Sequence, residues 1–349
     1  MRVLSDFHHN SLMISIVRLF EERLGFDVYR PIGMEWFEEG FWAINNQIDT
    51  AKQFLELGSQ ALDGTPPLND RRAPKGTQGV MHDTFKVDDP GGLTSHWACT
   101  LDFFKRTKFD YLIASIPAHI PLFKRLIELY QPNAKLIVQV GNNWNIASFE
   151  GLPVLASIKP QPYGGPAFFY HQEFDTELFS PTPISSINKA YSIVNCIEQK
   201  PEAWRMYSEL KSHLEPKGWE IKAYGGQCPD GNLQGAESVA SAMKRSTFII
   251  NLKDGGDGYG HIIHNAYAVG RPVIISKNQY RGQLAEDLFV EGSYINLDDY
   301  WSLEDAANYL DSLTSNQIQR MGDAAAARFK EVVDFKKEAK QIGEWLKTI

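Results

Sequence analysis

The sequence predicts an α/β fold with parallel sheets, built as two units, and three observations carry that prediction. Strand-like and helix-like segments alternate along most of the 349 residues, which is the pattern of parallel sheets covered by crossover helices. Residues 257–275 read as a glycine loop, a short helix, a glycine stop and a buried strand. The length suits two domains of ordinary size, each with its own core.

The elements follow in order. Residues 1–6 form a short strand, and 11–24 a helix with Leu12, Ile16, Leu19 and Phe20 on one face, stopped by Gly25. A second strand at 26–29 closes at Pro31. Residues 33–101 read as an irregular insertion, rich in Gly, Pro and Asp from 64 to 90. Regularity returns with a buried strand at 110–116, a helix at 121–130 and a strand at 134–140. Two short strands at 154–158 and 167–170 precede a linker at 174–183. The second half runs strand 190–194, helix 202–213, strand 220–224, helix 239–244 and buried strand 247–252. After the glycine loop come a strand at 271–276 and helices at 303–313 and 316–346.

Composition narrows the class. With 43% hydrophobic and 22% charged residues, the chain is of globular type. No apolar run approaches the roughly 18–20 residues of a bilayer span. The first residues carry no apolar signal core, so a cytoplasmic setting is expected, the host's if the source is viral. Cys99, Cys196 and Cys228 form no CxxC pair and are expected to be reduced, buried thiols. A net charge of −8 gives no general attraction to polyanions. A local basic patch remains open, from Arg71, Arg72 and Lys75 or from Lys105, Arg106 and Lys108.

The chemistry concentrates at Asp257-Gly258-Tyr259-Gly260-His261. A helix opened by glycines offers backbone N–H groups and a positive dipole end to an anion, most simply a diphosphate. His261 and Asn265 fall on one face of that helix, a turn apart. Other readings stand beside this one: Gly258–Gly260 as a plain tight turn, Asn265 as a buried polar residue, and Trp36 and Trp42 as core. Asp257, His261 and His264, or the pair His8 and His9, lack a complete metal-ligand set.

Asp257-Gly258-Tyr259-Gly260, Asn265-Ala266, Ala268, Gly270, Pro272, Val273 and Ile274 keep the spacing of a known frame. The stretch resembles the nucleotide-sugar domain of retaining glycosyltransferases with the GT-B fold, the spacing of whose Glu-x7-Glu frame it keeps. Phe174-Asp175-Thr176-Glu177-Leu178-Phe179-Ser180-Pro181 is similar to that family's inter-domain segment, and residues 283–292 fall where its Pro-Glu region lies. The resemblance implies two Rossmann-like domains with parallel sheets facing a central cleft. These would be an acceptor domain at 1–172, a donor domain at 173–330, and a helix at 331–349 packing back on the first.

It also implies transfer of a sugar from a nucleotide-diphosphate donor, commonly UDP-linked, to a hydroxyl, with retention, without a metal and without a further cofactor. Asp257 and His119 would be catalytic. Gly258, Tyr259, Gly260, His261, Asn265 and Lys200 would hold the donor, with His8 and His9 on the acceptor side and Asp6 a weaker candidate for base. Three departures stand out. Asp257 and Asn265 replace both motif glutamates, and Val194-Asn195-Cys196 lacks the family's arginine. An inactive scaffold that only binds a nucleotide sugar is therefore the alternative. Finally, Leu19-Phe-Glu-Glu-Arg-Leu-Gly25 and residues 29–36 resemble the opening of phage glycosyltransferase-like proteins. That likeness implies a hydroxymethylated DNA base, flipped from the duplex, as acceptor.

Overall fold

The computed structural model describes residues 1–6, 10–31, 36, 84–88, 95–141, 149, 151–158, 163–185, 187–255 and 257–349. His8, His9, Trp42, Arg71, Arg72 and Lys75 lie outside the described residues. The chain divides into two compact units. One comprises Met1–Ser157, Gln161–Phe174 and Phe335–Ile349, the other Ile158–Pro160 and Asp175–Asp334.

The first unit is built on β1 (Arg2–Ser5), β2 (Asp27–Pro31), β3 (Thr84–Asp88), β4 (Ser95–Cys99), β5 (Tyr111–Ala114), β6 (Lys135–Val140), β7 (Val154–Ala156) and β8 (Ala167–Phe169). Their order is β3-β4-β2-β1-β5-β6-β7-β8. The central strand β5 is apolar along its whole length because parallel strands bury both faces; all four of its residues are buried. Two strands were not expected from the sequence. β3 and β4 emerge from the stretch read as irregular, and β3 pairs antiparallel with β4 at the sheet edge. The sheet is thus parallel except at that edge.

The helix expected at 11–24 is α1 (Asn10–Val17) running into a π-helix, Arg18–Arg23, whose last turn closes with Leu24 N–H on the Leu19 carbonyl. It buries Met13, Ile16, Val17, Leu19 and Phe20 against Val3, Val28, Ile113 and Ile137. α2 (Leu101–Arg106) is capped by the Thr100 hydroxyl, which accepts from Phe103 N–H. α3 (Ile120–Tyr130) opens with a proline in its first turn and buries Ile120, Phe123 and Leu126.

The second unit contains β9 (Lys189–Ile193), α4 (Pro201–Leu214), β10 (Glu220–Tyr224), α5 (Gly235–Arg245), β11 (Phe248–Ile250), α6 (His261–Ala268), β12 (Val273–Ile275), β13 (Tyr294–Asn296), α7 (Leu303–Ser312) and α8 (Ser315–Val332). Its sheet order is β10-β9-β11-β12-β13, parallel throughout. Its core joins Phe248, Ile250 and Ile274 of the sheet to Tyr207 and Leu210 of α4 and Leu310 of α7. The single terminal helix read at 316–346 is in fact two. α8 ends where Val333 turns extended, and α9 (Phe335–Trp345) belongs to the first unit. There Ala339, Ile342 and Leu346 join the core under β1 and β5.

Candidate functional site

In open parallel sheets, ligands sit outside the carboxyl ends of strands where the strand order reverses. In the second unit the chain passes from β9 outward to β10, then returns to β11 on β9's other side. The loops after β9 and β11 therefore border the switch point. The first carries Lys200, the second Lys253 to Gly260.

The loop after β11 is held by its own side chains. Asn251 is fully buried and donates through Nδ2 to the Tyr280 hydroxyl at 2.5 Å and to Asp257 Oδ2 at 3.2 Å. The Tyr280 hydroxyl also lies 3.4 Å from Asp257 Oδ2. Asp257 Oδ1 accepts from Gly258 N–H at 3.0 Å and stands 3.9 Å from Lys253 Nζ. Burial pushes the Tyr280 phenol well up, and the nearby carboxylate adds to this. One carboxylate thus gathers an amide, a phenol, a backbone N–H and an ammonium. The shorter acid at the motif's first position is drawn into its own loop.

Gly260 has φ 73° and stands just before α6. The left-handed conformation suits glycine, and a Cβ there would meet Ala285 Cβ at 3.0 Å. Its carbonyl accepts from Ile263 N–H and from His264 Nδ1, both at 2.9 Å. Nδ1 therefore carries the His264 proton. The Tyr259 ring stacks on that imidazole at 4.1 Å, 13° from parallel. The first-turn amides at His261 and Ile262 have no carbonyl behind them within the helix. Asn265, one turn on, is 2% exposed, and its Oδ1 has no hydrogen-bond partner among the described residues. Buried polar atoms are normally satisfied, so this atom marks where a ligand hydroxyl would fit.

Lys200 donates to the Asn195 carbonyl at 2.7 Å. Burial, and then the neighbouring Lys253 ammonium, push its pKa down. Asn195 Oδ1 accepts from Gly226 N–H at 2.8 Å, and Cys196 takes a left-handed backbone with φ 54°. Where the resembling family has an arginine, this loop has a tight turn. A second ammonium stands nearby on Lys253, 3.9 Å from Asp257 Oδ1, and no motif in the sequence marks it. Its signal is its place just past a buried strand.

In the first unit the order reverses at β1 and β5, which pair in parallel. Asp6 follows β1 and is fully buried. Its Oδ1 accepts from Ser115 N–H at 2.7 Å, and its Oδ2 from Ile116 N–H at 3.1 Å. His119 Nδ1 lies 3.1 Å from the same Oδ2. Behind them, Ser115 Oγ donates to Gln139 Oε1 at 2.8 Å, and Gln139 Nε2 to the Tyr170 hydroxyl at 2.6 Å. Asp6 and His119 thus meet across 113 residues. The third and fourth histidine candidates, His8 and His9, are not described.

Other expectations resolve simply. Trp36 is core, its indole N–H donating to the Cys99 carbonyl at 2.9 Å. The cysteines are unpaired, but only Cys99 is buried; Cys196 and Cys228 are half-buried, which corrects the expectation for those two. Lys108 pairs with Asp110 at 3.4 Å, and Lys105 lies over the Tyr130 ring. Among the described residues no group of three or more His, Cys, Asp or Glu is placed to hold a metal. No described helix is long and apolar enough to cross a membrane.

A chain of two Rossmann-like units, each with its reversal of strand order, defines the GT-B class of fold. Solved structures bear this out. HepE from Anabaena, in complex with UDP and glucose, matches with a TM-score of 0.61 at 10% identity over 100% of both chains. A point mutant of TarM from S. aureus, in complex with fondaparinux, alpha-GlcNAc-glycerol and UDP, gives 0.62 at 9% identity over 99% of each. An alpha-glucosyltransferase in complex with UDP and a 13-mer DNA containing an HMU base gives 0.59 at 12% identity over 99% of each. No family model and no curated protein matches the sequence.

Proposed function

We propose that this protein is a glycosyltransferase that moves a sugar from a UDP-linked donor to a hydroxyl acceptor, retaining and independent of metal. The observation that carries the reading is the set of groups at the second unit's switch point. Lys200, Lys253 and the Gly260-opened end of α6 supply positive charge there. A departing diphosphate is stabilised by such fixed charge. Asn265 Oδ1, buried and without a hydrogen-bond partner among the described residues, supplies a polar atom for the ribose. Tyr259 and His261, whose rings lie 6.0 Å apart, are assigned to the phosphates and Asp257 to the sugar. The fold supports the reading, since HepE, TarM and the alpha-glucosyltransferase are solved with UDP. Retention and metal independence rest on the Glu-x7-Glu resemblance. A cytoplasmic setting is part of the proposal, supported by three unpaired thiols.

For the acceptor we propose a hydroxymethylated DNA base, a reading that the alpha-glucosyltransferase bound to HMU-containing DNA supports. A gel shift with plain and hydroxymethylated DNA at low salt is its check; binding to neither removes it.

Calorimetric titration with UDP tests the donor site. Wild-type protein should bind, and Lys200→Ala and Lys253→Ala should each weaken binding about tenfold, the size of a lost charge-assisted hydrogen bond. Affinity should be flat at neutral pH and fall as the medium turns alkaline, since the protonated Lys200 binds and its pKa is lowered. Wild-type protein that ignores UDP would falsify the assignment. Release of UDP from UDP-glucose without acceptor separates a catalyst from an inactive binder.

A further inference from the structure

The second unit carries a cavity that the donor site does not use. It has a volume of about 530 Å³ and lies beside β13, the edge strand, against α7 and α8. That size falls in the roughly 300–1,000 Å³ range of small-molecule sites. Ile295 of β13 and Met321 of α8 are buried and give it apolar lining. Tyr294, Tyr300 and Tyr309 line it as well, the last two with ring centroids 5.7 Å apart. Its polar groups are idle in the fold. Among the described residues, the three tyrosine hydroxyls have no hydrogen-bond partner in the protein. The same holds for the Arg320 guanidinium and the Glu291 carboxylate, which line the cavity too. Burial, and then Tyr309 and Asp299, push the Tyr300 phenol up to about 12, so it stays a neutral donor.

The surrounding charge selects the ligand. Residues 282–319, which supply most of the lining, hold eight Asp and Glu and neither Lys nor Arg. A nucleic acid or other polyanion is repelled there. A cation is opposed as well. Arg320 lines the cavity, and Lys277 Nζ already lies over the Tyr294 ring at 5.8 Å. A neutral ligand is left, one with apolar surface for the rings and many groups that both donate and accept. A sugar has both, with C–H groups on its faces and hydroxyls around its rim. The aromatic surface also extends past the cavity. Trp301 follows Tyr300 in the chain and is fully exposed, and Tyr309 is 44% exposed. These are two of only six exposed large apolar side chains among the described residues, which suits a ligand of more than one ring.

We propose that this cavity is a second saccharide site, which holds a neutral oligosaccharide apart from the donor. Tyr300 and Tyr309 stack on its rings, Arg320 donates to its oxygens, and Glu291 accepts from its hydroxyls. The site lies wholly within residues 291–324, none of them in the loops after β9 and β11. The inference therefore stands independently of the donor reading, and its test needs no turnover.

Saturation-transfer NMR with glucose, N-acetylglucosamine, maltotriose and chitotriose tests it. At least one sugar should receive signal from the protein, and should do so equally with UDP in excess. Tyr309→Ala and Arg320→Ala should each weaken that sugar about tenfold, the scale of a lost aromatic stack or charge-assisted hydrogen bond. Both side chains are exposed, so the melting temperature should not move, which separates loss of the site from loss of the fold. No signal from any of the four sugars overturns the proposal. So does a signal that UDP abolishes, because the sugar then occupies the donor site, or one that both variants retain in full. Single-stranded DNA bound by the wild type and lost in Arg320→Ala would show that the cavity takes phosphate instead.

Discussion

Arg271 stands inside the glycine–proline frame that drew attention to the sequence, yet its work is structural. Its guanidinium is fully buried and faces the carbonyls of Ser246 at 2.9 Å, Thr182 at 2.8 Å, Lys244 at 2.6 Å and Val269 at 3.0 Å. No carboxylate is among these partners; the fork of donors ties three chain segments together. Arg271→Met should lower the second unit's stability by about 3–5 kcal/mol, the range for breaking a buried charged network. Urea unfolding with a probe in that unit would measure it, and a loss under 1 kcal/mol would refute the account. The glycines of this frame were legible in the sequence because their demand is local. Gly260 needs a left-handed backbone whatever surrounds it. Lys253 was not legible as a site residue, and Asp6 was legible only as a weaker candidate for base and not as the partner of His119, because their meaning depends on which strands lie side by side. Lys253 matters once β11 pairs with β9, and Asp6 meets His119 once β5 pairs with β1.

At the scale of elements, α4 shows how the two loops of the donor site are joined. Its first turn is capped from outside: Asp254 Oδ1 accepts from Ala203 N–H at 2.7 Å, and Oδ2 from Glu202 N–H at 3.4 Å. Asp254 adjoins Lys253, and α4 begins just after Lys200. The cap therefore holds the lysine-bearing loops together and occupies a helix terminus that would otherwise compete for phosphate. Asp254→Ala should cost about 1 kcal/mol, as caps do, visible as a lower melting temperature. It should also weaken UDP binding, because Lys253 loses its anchor. Melting that drops with UDP affinity untouched would show the cap to be only structural. The strands β3 and β4 mark where sequence reading fails at this scale. Their surroundings are so rich in turn residues that five-residue strands are lost among them.

At the scale of the molecule, alternation of elements sufficed to read two parallel-sheet units, whereas the path of the chain between them did not follow from periodicity. The helical pattern from 316 to 346 continues across Val333 with no proline or glycine between residues 323 and 342 to interrupt it. Tertiary contacts decide the break. Beyond it, Glu338 accepts from His171 N–H at 2.8 Å, and Tyr111 donates its hydroxyl proton to the Leu346 carbonyl at 3.1 Å. Ile342 and Leu346 lie in the first unit's core. Deleting residues 335–349 should destabilise that unit by about 3–6 kcal/mol, from two large aliphatic side chains at about 1.5–3 kcal/mol each. UDP affinity should change less than about twofold, as for distant sites. Equal loss in both readouts would contradict the division.

The interleaved path of the chain also sets an order of events on the ribosome. Chains emerge at about 5–20 residues per second, and domains fold as their residues appear. The segment Asp175–Asp334 is complete before Phe335–Ile349 is translated. The first unit's sheet, although its strands come earlier, must wait with an apolar flank open until residues 335–349 have been translated. During nascent growth it is therefore the half most in need of a chaperone.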